Sequence, residues 1–175
     1  MRIISGTHRG RTIKPPPDLP VRPTTDFAKE ALFNILNNRI DYEELSVLDL
    51  FCGTGNISFE FASRGAKVTA IDQHFKCVQF VQSEAIKLKL DIQVMKADVF
   101  KFVTQKTKGY DLVFADPPYD TEHYPALHKN LLANDFINEG GLLIIEHSKR
   151  TSFEGAELFT EVREYGNVHF SFFQK

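Results

Sequence analysis

The sequence predicts an α/β fold: a mostly parallel, doubly wound sheet with helices on both faces. Three observations predict it. From Ser46 onward, short apolar runs alternate with stretches of helical period, the pattern of successive βα units. The first run, VLDLF at 47–51, leads into C-G-T-G and then a helix, the strand–loop–helix order of a ligand-binding α/β sheet. The last segment, FTEVREYGNVHFSFF at 159–173, reads as two strands joined at Gly166–Asn167, with Val168, Phe170 and Phe172 alternating inward. A hairpin in that place adds an antiparallel strand to the parallel ones.

The elements follow in order. RIIS (2–5) and GRTIK (10–14) flank GTHRG and predict a small N-terminal β-hairpin extension. PPPDLPVRP at 15–23 excludes regular structure and reads as a stiff linker. Thr24 or Thr25 can cap a helix running to about Asn38, with Phe27, Ala31, Leu32, Ile35 and Leu36 on its apolar face. After the strand at 47–51, a helix spans about Asn56 to Arg64 and stops at Gly65. KVTAID (67–72) is a strand, and Phe75, Val78, Val81, Ala85 and Leu88 mark the next helix. IQVMKAD (92–98) and YDLVFAD (110–116) are strands, with a short helix through Phe102 between them. A helix at about 122–133 and the strand GLLIIEH (141–147) complete the parallel series. The expected division is a basic hairpin and linker over 1–23 and an α/β domain over 24–175.

The chain has 175 residues, 42% hydrophobic and 25% charged, which suits one domain with a substantial core. Cys52 and Cys77 share no metal-like spacing and are expected as free thiols in a reducing cytoplasm. The apolar start is too short for a signal peptide, and no run has the length of a membrane span. The net charge of −2 argues against bulk electrostatic binding of nucleic acid, but the charge is uneven. Residues 1–23 hold Arg2, Arg9, Arg11, Lys14 and Arg22 against Asp18, so a +4 arm sits on a −6 body. Such an arm suits phosphate contacts as well as it suits a merely solvated hairpin.

Ligands of such sheets bind at the carboxyl ends of the strands. LDLFCGTGNIS at 48–58 ends the first strand, and Gly53 and Gly55 permit a tight turn and close approach to the backbone. Asp49 precedes the loop, with Phe51 after it, and Asp72 ends the second strand at the distance that suits a ribose-binding acid. A dinucleotide is disfavoured, because Ser58 stands where the third fingerprint glycine belongs and Asp49 would repel a pyrophosphate. An adenosyl group with a cationic amino-acid tail suits an acidic loop better, so S-adenosyl-L-methionine is the expected cofactor. Asp98, ending the third strand, is placed to accept from an adenine amine, with Val99 as an apolar contact.

The fourth strand runs into VFADPPYD at 113–120. Two prolines carry no N–H and hold the backbone extended, so the chain leaves the sheet as a stiff arm. Asp116 and the carbonyl of Pro117 can accept both hydrogens of an exocyclic amine, Pro118 keeps the arm rigid, and Tyr119 offers a stacking face. Glu146 and His147, ending the fifth strand, read as a buried, satisfied pair, and Cys52 as a small packing residue.

LDLFCGTGNIS and FADPPY in this order resemble S-adenosylmethionine-dependent amino-methyltransferases. MRIISGTHRGRTIK, VRPTTDFAKEALFNIL and the closing YGNVHFSFF are similar to the RsmD family over nearly the whole chain. At Phe27-Ala28-Lys29 the chain departs from that family, which more often shows a basic residue ahead of R-E. The resemblance implies a class I methyltransferase fold and methylation of the exocyclic N2 of one guanine in 16S ribosomal RNA, presented by an assembled or assembling 30S subunit. It puts cofactor contacts at Asp49, Gly53, Gly55, Asp72 and Asp98 and catalysis at Asp116, Pro117 and Tyr119; no metal or membrane is called for. Arg22, and with it Arg2, Arg9 and Arg11, are the candidate RNA contacts. The competing readings are a DNA adenine methyltransferase, for which no recognition domain is left over, and a protein glutamine methyltransferase, which usually has Asn where Asp116 stands.

Overall fold

Thr25 decides where the first helix begins: its backbone is extended and its hydroxyl accepts from the amide of Ala28 at 3.2 Å, one of the donors a helix start leaves free. This is seen in a computed structural model that describes residues 1–19, 25–118 and 123–175. The helix α1 (Asp26–Leu36) buries Ala28, Lys29, Leu32, Phe33 and Leu36. Its apolar face is therefore rotated from the expected one, since Phe27 is 69% exposed and Ala31 and Ile35 are only half-buried. The rotation brings Phe33 edge-on to Phe61, centroids 4.7 Å apart, and turns Lys29 inward.

The remaining elements are β1 (Ser46–Leu50), α2 (Asn56–Ser63), β2 (Lys67–Asp72), α3 (Phe75–Leu88), β3 (Ile92–Lys96), α4 (Val99–Phe102), β4 (Tyr110–Ala115), α5 (Tyr124–Ala133), β5 (Ile137–His147), β6 (Phe159–Tyr165) and β7 (Val168–Gln174). They form one seven-stranded sheet in the order β3-β2-β1-β4-β5-β7-β6. β1 to β5 are parallel, while β7 lies antiparallel between β5 and β6. The chain order reverses between β1 and β4, the switch point where a doubly wound sheet opens a crevice. This is the predicted Rossmann-like architecture with its closing antiparallel hairpin.

Two strands differ from expectation. β5 starts four residues earlier than GLLIIEH, because Ile137 pairs with Tyr110 before the register shifts ahead of Leu142. Gly140, at φ +76°, lets the strand bend there, and Asn138 ties it to Asp111 through a 2.8 Å hydrogen bond. β3 ends at Lys96, two residues short of the expected Asp98, which caps α4 instead; among the described residues no strand lies beyond it, and Met95 is exposed.

Strand alternation sorts the core into two layers. Val47, Leu112, Phe114, Leu142 and Ile144 face one layer with Leu32, Phe33 and Phe61 from the helices. Leu48, Leu50, Val113, Leu143 and Ile145 face the other, with Leu127, Leu131 and Phe136. The same parity decides what stands at the strand ends. Asp49, Asp116 and Glu146 occupy positions of the first face, on three adjacent strands, and His147 occupies the second.

The N-terminal hairpin is closed by a single bridge, Arg2 to Thr12, and is packed onto α1 and α2. Ile3 and Ile13 enter the first core layer. Glu60, fully buried, accepts from the amides of Ile4 at 2.8 Å and Ser5 at 3.0 Å. Lys29 Nζ donates to the carbonyl of Arg2 at 2.6 Å and to Asn56 Oδ1 at 2.8 Å, so one ammonium fastens the hairpin to the first residue of α2. Burial pulls the pKa of Lys29 down, and the nearby carboxylates of Glu60 and Asp26 oppose that shift.

Candidate active site

β1 ends in a loop whose backbone turns repeatedly through the left-handed region: Phe51 at φ 63°, Gly53 at 53° and Gly55 at 76°. Gly55 is also the N-cap of α2, and a Cβ there would meet Phe59 and Val81 at 2.9 Å. For Phe51 the left-handed conformation is strained, the kind of strain that gathers at ligand sites; its ring lies 5.2 Å from that of Phe100.

Asp72 closes the loop from the neighbouring strand. Its Oδ2 accepts from the amide of Gly53 at 2.9 Å and its Oδ1 from that of His74 at 2.8 Å. Each oxygen keeps a second lone pair, so the carboxylate both shapes the loop and can still accept from a hydroxyl. Asp98 caps α4, its Oδ1 accepting from Lys101 N at 3.3 Å, and Val99 beside it is buried.

Asp49 is buried and accepts from the hydroxyl of Ser58. Burial pushes its pKa up to about 7; the Ser58 hydrogen bond opposes the rise and the charge of Asp72 adds to it. Asp116, one step past β4, has its amide on the Leu50 carbonyl at 3.3 Å, which locks it beside β1. Burial drives its carboxyl well above the usual range, and the charges of Glu146 and Asp49 push the same way. Pro117 is buried and Pro118 exposed, so the arm turns outward after the acid. Tyr119 and Arg22 lie outside the described residues.

Three carboxylates thus converge on one sheet face beside the glycine loop, and the charges of Glu146 and Asp49 add to the proton affinity that burial gives Asp116. A site of this kind is short of positive charge, and a cation entering it would be held by all three. The Thr54 hydroxyl, buried within the loop, has no hydrogen-bond partner among the described residues, so the loop keeps one polar group for a ligand.

Sequence reasoning named Asp49, Gly53, Gly55, Asp72 and Asp116, and the fold gathers them. It missed the inward role of Ser58, read only as a missing glycine, and the donor left over at Thr54. Glu146 and His147 are both buried but do not act together across one face; His147 is held by the Ser171 hydroxyl at 2.8 Å and the Ser148 carbonyl at 2.9 Å. Lys29 and Glu60 could have been found from a charged residue standing inside an apolar helical stripe, as in FEF at 59–61. Arg2, Arg9 and Arg11 are exposed, Arg2 being paired with Glu30 at 3.2 Å. Cys52 and Cys77 are buried free thiols, with the Cys52 pKa pushed well up and that of Cys77 to about 11, in both cases mainly by burial.

The strand order, the glycine loop at the switch point and the acids at the strand ends define a class I methyltransferase fold. The chain belongs to the family described as conserved hypothetical protein 95, the RsmD family, whose model matches residues 1–174. It is 35% identical over 149 residues to the ribosomal RNA small subunit methyltransferase D of Escherichia coli K12, covering 83% of this chain and 74% of that protein. The protein of the same name from Haemophilus influenzae is 31% identical over 176 residues, covering 94% and 87%. Among solved structures, a putative methyltransferase from Escherichia coli, yhhF, superposes with a TM-score of 0.85 at 28% identity, over 100% of this chain and 97% of that one. A T. thermophilus 16S rRNA N2 G1207 methyltransferase in complex with AdoMet and guanosine has a TM-score of 0.73 at 20% identity, over 91% and 46%, a likeness of fold.

Proposed function

We propose that the protein transfers a methyl group from S-adenosylmethionine to the exocyclic N2 amine of a guanine in small-subunit ribosomal RNA. The observation that carries it is the cluster of Asp49, Asp116 and Glu146 on one face at the ends of β1, β4 and β5, against a glycine loop with a spare buried hydroxyl. The substrate follows from the family and from relatives named for methylation of small-subunit rRNA.

S-adenosylmethionine, when bound, supplies an electrophilic methyl on a sulfonium and carries an ammonium tail. The residues present fit such a group. Asp49 and the Thr54 hydroxyl stand where a charged tail meets the loop, Gly53 and Gly55 keep the backbone bare, and Phe51 and Val99 line the approach. Asp72 is the acceptor for ribose hydroxyls and Asp98 for the adenine amine.

Chemistry falls to the arm after β4. Asp116 and the carbonyl of Pro117 accept the two hydrogens of the target amine and turn its lone pair toward the incoming methyl. Tyr119 stacks on the base, and Pro118 fixes the spacing between acid and ring. Burial, with the charges of Glu146 and Asp49, favours the protonated form of Asp116, a weaker acceptor than the carboxylate. Positive charge held beside Asp49 would favour the carboxylate form of Asp116 and so strengthen it as an acceptor. The nitrogen takes the methyl and releases a proton, and positioning supplies most of the acceleration.

The target base must stand in a loop or be flipped out, because an exocyclic amine inside a duplex is out of reach. With a net charge of −2, shape recognition of a preformed loop suits this protein better than a general grip on RNA, so assembled or assembling 30S subunits are the preferred form of substrate. The test is transfer of tritiated methyl to 30S subunits, deproteinised 16S RNA, DNA and protein side by side. The expected product is N2-methylguanosine in small-subunit RNA, formed fastest on subunits. Label in DNA or in a glutamine amide would overturn the assignment.

A further inference from the structure

The surface between α1 and the closing hairpin has no role in the site described above. There Ala31, Asn34, Ile35, Asn38, Arg39, Arg163 and Tyr165 line an open hollow of about 450 Å³. β6 runs parallel to β5, so Tyr165, its last residue, stands at the same end of the sheet as Glu146 and Asp116. Phe27 meets Tyr165 edge-on, with centroids 6.2 Å apart, and is 69% exposed. Farther from that end, Arg39 and Arg163 both bind Glu161, Arg163 Nε at 2.7 Å, so two guanidiniums share one carboxylate and a net positive charge remains. Asn34 also borders a second hollow of about 300 Å³, which holds Arg2 and Arg9. The two hollows thus form a strip along the outer face of α1, aromatic at the active-site end and cationic beyond it.

We propose that this strip carries the unpaired RNA that flanks the target nucleotide, a proposal that rests on the RNA-methylating function above. One or two bases stack on Phe27 and Tyr165, and the phosphates behind them meet Arg163 and Arg39. The chemistry favours a nucleic acid over a protein partner. The aromatic rings sit at one end only, whereas the polar lining of the rest is amides and guanidiniums with one carboxylate, Glu30, paired to Arg2, a poor match to an apolar partner and a better one to a sugar–phosphate chain. Glu161 holds the arginines in place, so little ordering is required when a phosphate arrives. The strip also places cationic groups at the C-terminal hairpin, far in sequence from the N-terminal arm.

The test uses Phe27→Ala, Phe27→Trp and Arg163→Gln in the full chain, with 30S subunits and deproteinised 16S RNA from a strain lacking this methylation. Phe27→Ala is expected to raise KM for RNA roughly tenfold or more, and Phe27→Trp to restore it, because every base stacks on an aromatic face. Arg163→Gln is expected to flatten the salt dependence of binding by about 0.7 in log–log slope, one phosphate contact. Cofactor affinity measured by calorimetry stays at the wild-type value in all three. A photo-crosslinking amino acid at position 27 is expected to capture RNA. Unchanged KM and slope, with wild type methylating the RNA normally, overturn the strip and leave the proposed function standing. A crosslink to a ribosomal protein overturns RNA as the occupant. Absence of methylation of small-subunit RNA by wild type overturns the function and this proposal with it. If Phe27→Ala does not fold, the Arg163→Gln slope and the crosslink decide.

Discussion

Asp49→Asn isolates the electrostatic cost of the acidic site. Asp49 is held near pH 7 in the folded chain against an ordinary 3.8. Between those values the folded protein keeps a proton that the unfolded chain has lost, so stability falls as pH rises through the window and levels off above it. At 1.36 kcal/mol per pH unit, the full loss is about 4 kcal/mol, of which about 2 kcal/mol falls between pH 5.5 and pH 8. Asparagine keeps an acceptor for Ser58 and removes the charge. The variant without cofactor is therefore expected to be more stable than wild type at pH 8, and by a margin about 2 kcal/mol larger there than at pH 5.5. The same change should weaken S-adenosylmethionine binding tenfold or more, since a charged hydrogen bond is worth about 1.5–3 kcal/mol. Urea unfolding of both proteins at a series of pH values reads the first effect, and calorimetry the second. Taking the difference between the two proteins cancels the titrating groups that do not sense Asp49; Asp116, which does, loses one source of its raised proton affinity in the variant. A pH-independent difference, or a variant less stable at pH 8, would refute the assignment of Asp49 as a strained, cation-seeking carboxylate.

Asp116→Ala is expected to abolish methyl transfer while cofactor affinity measured by calorimetry changes little; loss of cofactor binding would move Asp116 to the other side of the site. Gly55→Ala forces a Cβ against Phe59 and Val81 at 2.9 Å from a left-handed backbone, and should cost about 1–3 kcal/mol in thermal unfolding. Lys29→Met removes the ammonium 3.9 Å from buried Glu60, which keeps the Arg64 guanidinium at 2.9 Å, and frees the Arg2 carbonyl. A loss of about 1–3 kcal/mol and faster proteolysis near residue 10 are expected, and wild-type resistance would show the tether idle. Deleting residues 1–14 removes Ile3 and Ile13 from the core and two amide donors from Glu60, so a large fall in Tm is expected alongside any effect on RNA.

That last expectation bears on the basic arm. Composition presents residues 1–23 as a charged appendage, but the hairpin is part of the packed body. Substituting the exposed Arg9 and Arg11 therefore probes RNA contact more cleanly than truncation does.

What the sequence determined by itself was local. Apolar alternation gave each strand, the spacing of Val78, Val81, Ala85 and Leu88 gave α3 within its observed bounds, and the glycines of CGTG marked a left-handed loop. Asp49, Asp72 and Asp116 were legible because each stands at a strand end that periodicity alone defines. Tertiary structure decided the rest, because side chains far apart in sequence meet only once strand order and helix rotation are set. The placing of β4 beside β1 and β5 puts Asp116 between Asp49 and Glu146 and raises its proton affinity; no window of sequence contains that neighbourhood. The rotation of α1 sends Lys29 in and Phe27 out, although a helical wheel offers two apolar faces that share Leu32 and Leu36. Packing of Phe33 against Phe61 chooses between them, and that contact exists only after α1 and α2 lie side by side.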